Sequence, residues 1–199
     1  MSLASEEEAR ANFYALLARL FYAPPDEGLL KALAGADELD AEDETVAACW
    51  RGLMAAAAAT EAEAEAEAEA VRAEYDQAFV GTGKAPVTLY ACAYSLRYTN
   101  ETPLTALRED LAALGLARRE QAGEPEDHIA ALCDSMRHLI AEQQRPLAEQ
   151  QRFFARWIKP NYEALCSAIE ASERTSFYRH VARAAKAFFS LEQAAFEML

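Results

Sequence analysis

The chain is expected to be all-α, a single-domain bundle of about nine to ten helices arranged in two lobes. Three observations lead there. Ala, Leu, Glu and Arg dominate the 199 residues, while Gly and Pro number only seven each. That composition favours helix almost everywhere. No run of alternating β-branched residues is long enough for a strand, and large apolar residues return at helical spacing along most of the chain. With 52% hydrophobic residues the chain can bury a proper core and is not disordered as a whole.

The elements follow in order. Ser5 and Glu8 have capping-box spacing ahead of the stripe Phe13, Leu16, Leu17, Leu20 and Phe21, and Pro24-Pro25 stops this helix. A short helix over 26–34 ends at Gly35. From about residue 41 a long helical region carries Val46, Cys49, Trp50, Leu53 and Met54 on one side, then passes into five Glu-Ala pairs over 61–70. Ala and Glu are poor strand formers, so the pairs are expected to be an exposed helix in which Glu61, Glu65 and Glu69 repel at i,i+4. Val71, Tyr75, Phe79 and Val80 restore a large apolar face. Gly81-Thr82-Gly83-Lys84-Ala85-Pro86 then breaks the helix, and Leu89 to Tyr94 is expected to be a short aromatic helix.

Thr102-Pro103 opens a helix over 104–114, closed by Gly115. Residues 115–124 are expected to link an N-terminal lobe, 1–114, to a C-terminal lobe, 125–199. Pro146 starts a helix with Phe153, Phe154, Trp157 and Ile158, which Pro160 interrupts. A helix over 161–171 carries Tyr162, Leu165 and Ile169. The last helix, expected from about Ser172, aligns Phe177, Val181, Ala184, Phe188, Leu191, Ala195 and Leu199.

The stretch that carries most information opens the second lobe: Glu124-Pro125-Glu126-Asp127-His128-Ile129. Pro125 suits a first helical position, where its missing N–H costs nothing. Glu126 and Asp127 then fall in the first turn, complementing the helix dipole. Ile129, Leu132, Cys133, Met136, Leu139 and Ile140 form one apolar stripe behind them. His128 falls at the edge of that stripe and Asp127 nearly opposite it. An acid and an imidazole are thus expected where a buried helix emerges at the surface.

Charge narrows the partners. The formal net charge is −14, which repels nucleic-acid phosphates and anionic lipid head groups and attracts a basic partner. No apolar run approaches the roughly 18 residues of a membrane span, so no stable membrane insertion is expected. The segment Met1-Ser2-Leu3-Ala4-Ser5-Glu6-Glu7-Glu8 lacks the basic start and apolar middle of a secretory signal, and a cytoplasmic protein is expected. Cys49, Cys92, Cys133 and Cys166 are scattered with no C-x-x-C, as buried thiols of a reducing compartment would be.

Catalytic readings find little support. His128 and His138 lie on one helix but about 15 Å apart along its axis, too far to share an ion. No H-x-x-x-H or E-x-x-H pair occurs, and Cys133 falls in the apolar stripe rather than at the surface. The loop at 81–86 lacks G-x-x-x-x-G-K-[ST] spacing and no strand precedes it. A weak nucleotide-dependent activity is a third reading, which a GTP titration would exclude. No catalytic residue, metal or cofactor is assigned.

Glu-Pro-x-Asp-His followed by an aliphatic residue resembles the signature of the TorD/DmsD family of redox-enzyme maturation chaperones. The segment Tyr75-x-x-x-Phe79-x-Gly81, then a Gly/Pro loop, then Tyr90 and Tyr94, resembles the family's central segment. Phe177-Tyr178, near the start of a helix after a Pro break, resembles its tail. Two departures stand out: Val87-Thr88 where Pro residues are frequent, and Trp157-Ile158-Lys159-Pro160-Asn161 where the family often has His-Leu-x-Pro-Trp. The resemblance implies an all-helical chaperone, not an enzyme. Its partners would be a molybdenum-cofactor oxidoreductase catalytic subunit and that subunit's twin-arginine signal peptide. Recognition would take a carboxylate for the guanidinium, from Glu124 or Asp127. It would also take an aromatic groove from Tyr90 and Tyr94, alongside Phe79 and Gly81, with His128 hydrogen-bonding the peptide backbone. A homodimer formed by helix exchange is compatible with two lobes sharing a linker. The alternative is a helical scaffold or regulator that binds another basic or amphipathic helix.

Overall fold

The computed structural model describes residues 4–39, 43–59, 64–80, 85–95, 103–117 and 123–199. Ten α-helices run through the described residues: α1 (Ser5–Tyr22), α2 (Glu27–Ala34), α3 (Glu44–Ala59), α4 (Ala64–Tyr75), α5 (Cys92–Ser95), α6 (Pro103–Ala113), α7 (Ile129–Arg137), α8 (Leu147–Phe153), α9 (Tyr162–Ala171) and α10 (Phe177–Glu197). There is no strand among them, and the all-α expectation holds. Among the described residues extended pairing is limited to an isolated antiparallel bridge between Tyr90 and His128.

Local chemistry sets most helix ends. The Asp26 carboxylate accepts the Leu29 N–H at 2.7 Å and caps α2, satisfying a donor that would otherwise be orphaned. Gly115, with φ at 74°, closes α6: Leu116 N–H reaches back to the Leu111 carbonyl at 2.8 Å and Gly115 N–H to Ala112 at 3.0 Å. That left-handed step is nearly free for glycine. Three helices finish in a π turn rather than stopping: α4 in Asp76–Val80, α7 in His138–Glu142 and α8 in Phe154–Ile158.

Four expectations need correction. Ser5 is the first residue of α1 rather than its cap, since Glu8 N–H donates to the Ala4 carbonyl. Residues 89–91 are not helical, with Tyr90 in a bridge and Ala91 in a turn, and the short helix begins only at Cys92. The last helix begins at Phe177, not Ser172, because residues 172–176 are held in a turn by Thr175 Oγ1 donating to the Ile169 carbonyl at 2.6 Å. The fourth, the start of α7, belongs to the site below. Most of the Gly81–Pro86 loop and the first Glu-Ala pair lie outside the described residues.

The chain divides into two compact units, each assembled from separated stretches: Met1–Tyr22 with Leu89–Tyr162 and Leu199, and Ala23–Thr88 with Glu163–Met198. The contiguous lobes expected from the sequence, divided at 115–124, do not coincide with them; that linker lies inside the first unit.

In the first unit α1 packs mainly against α7. Tyr14, Leu17, Leu20 and Phe21 are fully buried, as are Ile129, Leu132, Cys133, Met136, Leu139 and Ile140. Each such large side chain contributes about 1.5–3 kcal/mol of burial free energy. Asp110 ties α6 to α8's π turn, accepting from Arg156 Nη1 at 2.9 Å and Trp157 Nε1 at 2.8 Å. In the second unit α3 packs against α10 and α2. Leu53 and Ala57 of α3 and Val181, Ala185 and Phe189 of α10 are all fully buried. Gly52 permits close approach there, since a Cβ would lie 3.4 Å from His180 Nδ1.

Candidate functional site: a bridged turn beside a cleft

The Glu124–Ile129 motif does not begin a helix at Pro125. It makes a tight turn, with His128 N–H donating to the Pro125 carbonyl at 3.1 Å. His128 is then the N-cap of α7, extended at φ −61° and ψ 133°, and its Nδ1 accepts the Ala130 N–H at 3.2 Å. The helix starts four residues later than local propensity suggests, at Ile129 rather than Pro125, because the backbone of 127–129 is engaged elsewhere. Ala91 N–H donates to the Asp127 carbonyl at 2.8 Å, and Ile129 N–H donates to the Leu89 carbonyl at 2.9 Å. Two bonds to a distant segment outweigh one more helical turn, since each buried backbone group needs a partner.

The bridge brings Tyr90 onto the motif. Its ring meets the His128 ring edge to face, with centroids 5.5 Å apart, and its hydroxyl donates to Glu124 Oε2 at 2.6 Å. That bond, with some burial, pushes the Tyr90 phenol up to about 12. Glu126 is forked by Arg108 of α6, through Nε at 3.0 Å and Nη2 at 3.1 Å.

Asp127 and His128 are not surface groups. They are 8% and 4% exposed. Burial raises the Asp127 pKa against hydrogen bonds from the Cys92 thiol and backbone N–H. Burial lowers the His128 pKa against the charge of Glu124. Cys92 is pushed up to about 12, by burial first and by Asp127 second, so its thiol stays protonated and donates to the carboxylate. Asp127 therefore anchors α5 to the turn, and of the acids expected to meet a guanidinium Glu124 is the one on the surface side.

Beside the turn lies a cleft of about 680 Å³. Ala15, Ala18, Arg19 and Tyr22 of α1 line one wall, and Leu111, Leu116 and Ala117 at the end of α6 another. Ala130, Ala131, Asp134, Ser135 and Arg137 of α7 form the third, with Glu124, Glu126 and His128 at its head. Apolar walls with a few placed polar groups suit ligand binding.

Of the residues expected at the site, Glu124, Tyr90 and His128 are brought together, and Asp127 lies buried beside them. Tyr94 is half-buried on α5. Phe79 belongs to the second unit, where its ring packs on Tyr178 at 4.9 Å and Tyr75 at 5.2 Å. Gly81 lies outside the described residues. Arg108 and the role of Cys92, expected only as a buried thiol, were not legible because neither carries a motif; their partners are 18 and 35 positions away.

Among the described residues no group of three His, Cys, Asp or Glu side chains gathers to hold a metal ion. No helix there is long and apolar enough to cross a membrane. The class this geometry defines is a helical protein with a cleft headed by a bridged Glu-Pro-Glu-Asp-His turn. The family model for the nitrate reductase delta subunit matches residues 39–189, and the chain belongs to that family. It is a family of molybdoenzyme assembly chaperones rather than of catalysts, in line with the TorD/DmsD resemblance. No curated protein matches the chain significantly.

Proposed function

We propose that this protein is a cytoplasmic chaperone for a molybdenum-cofactor oxidoreductase, holding its catalytic subunit and twin-arginine leader until the cofactor is in place and export can proceed. The observation that carries the reading is the bridge between Tyr90 and His128, which sets a carboxylate, an aromatic face and a ligand cleft side by side. Glu124 has one oxygen on the Tyr90 hydroxyl, and the other suits a guanidinium. The ring of Tyr90, 38% exposed, offers a face on which an arginine can lie. The apolar walls of the cleft accept the leader's hydrophobic stretch.

Calorimetry with a synthetic twin-arginine leader tests this. Glu124→Gln is expected to weaken binding about tenfold, roughly 1.4 kcal/mol, as the loss of one charge-assisted contact implies. A Lys-Lys version should bind more weakly, since an ammonium stacks less well than a planar guanidinium on the Tyr90 ring. Equal binding of the leader and an arginine-free amphipathic helix would instead favour a general helix-binding scaffold.

A further inference from the structure

Glu124 and Glu126 stand on either side of Pro125 and both line the cleft, yet they are not equally open. Glu124 gives Oε2 to the Tyr90 hydroxyl, and its Oε1 takes no hydrogen bond among the described residues. Glu126 has both oxygens forked by Arg108. Its side chain is 11% exposed, against 52% for Arg108. Asp127 cannot serve in its place, being buried and engaged by Cys92.

An independent feature marks the same cleft as a place for a ligand. His128 lines it while only 4% exposed. Its Nδ1 is spent on Ala130, so the neutral ring carries its proton on Nε2, and that N–H has no partner among the described residues. That N–H is not one of the sealed, unpartnered polar atoms of the core, so from the cleft wall it can donate to an acceptor from outside the chain, such as a peptide carbonyl.

We propose that Glu126 is a second guanidinium seat, filled by Arg108 in the free protein, and that a partner with two arginines takes it by displacing Arg108. This rests on the leader-binding reading above. The exchange is chemically even, one forked guanidinium–carboxylate pair for another. Releasing Arg108 costs little, because it is half-exposed and regains water. A lysine cannot reproduce the fork, so the exchange rewards an Arg-Arg pair over Arg-Lys and makes Arg108 a specificity-determining residue.

The test titrates the full chain with a blocked Arg-Arg dipeptide and, separately, with the leader, by NMR and calorimetry. Arg108→Ala is expected to bind the dipeptide about three- to tenfold more tightly, since removing an internal competitor raises the binding-competent fraction. Arg108→Ala with Glu126→Gln should lose that gain, and an Arg-Lys dipeptide should gain less. If Arg108→Ala melts early, Arg108→Lys, which keeps the charge but cannot fork, should show a smaller gain in the same direction. Unchanged or weaker dipeptide binding in a stably folded Arg108 variant, or no binding to any form, overturns the proposal. Dipeptide gain without leader binding would remove the leader reading and keep the seat; leader binding by the parent without any gain would do the reverse.

Discussion

Tyr90 and Glu124 are 34 positions apart and share one short hydrogen bond, and that bond sets the character of the head of the cleft. The proton is held more firmly in the folded protein, which raises the phenol to about 12. A raised pKa contributes stability that is present below the ordinary tyrosine value of about 10 and is lost as pH climbs through the folded value. The group is more than a third exposed, so solvent screening keeps that contribution small. The expected signature is spectroscopic. The difference in phenolate absorbance between the parent and Tyr90→Phe should rise near pH 12, and in a Glu124→Gln background it should fall back toward about 10. A parent phenol already ionising near 10 would mean the bond is absent in solution. The same residues show how far a motif carries. Glu124 and His128 were legible as neighbours in one hexapeptide. The inward turn of Asp127 was not, since its partner Cys92 lies on another segment and no periodicity connects the two.

Helix α10 shows the limits of local rules for an element. Its apolar face was visible at helical spacing, but its start was not. Ser176 occupies the cap position and makes no side-chain cap hydrogen bond. The first turn is capped from a distance by Glu74 of α4, whose Oε2 accepts the Phe177 N–H at 3.0 Å and Oε1 the Tyr178 N–H at 2.7 Å. A carboxylate there also complements the positive end of the dipole. Glu74→Ala should therefore lower stability by about 1–2 kcal/mol, the usual cost of a lost cap, read as a lower denaturation midpoint at unchanged slope. Ser176→Ala should be near neutral. Equal effects of the two substitutions would refute the remote cap. The π turns after α4, α7 and α8 were likewise illegible, because one extra residue per turn is a packing outcome with no composition of its own.

For the molecule as a whole, the net charge of −14 bears on how the basic leader proposed above would arrive. Attraction over distances beyond a few ångströms is screened at a Debye length of about 8 Å under physiological salt. Raising ionic strength should slow association and weaken leader binding, while an uncharged apolar segment of the same leader should be much less affected. Salt-independent binding of the whole leader would mean that apolar contact alone holds it. The two units are interleaved in sequence, so a cut at the expected linker, 115–124, would divide the first unit, not separate two lobes.

The all-helical architecture, most helix positions, the closure of α6 by Gly115 and the family signature could be taken from the chain alone, because they rest on bonds four or five residues long and on a 3.6-residue period. The pairing of residues 89–91 with 127–129, the fork of Arg108 on Glu126, the remote cap of α10 and the interleaved units could not. Each closes a loop of tens of residues, and the free energy that selects such closures comes from burial and packing in three dimensions, which leaves no regular trace in the order of the residues.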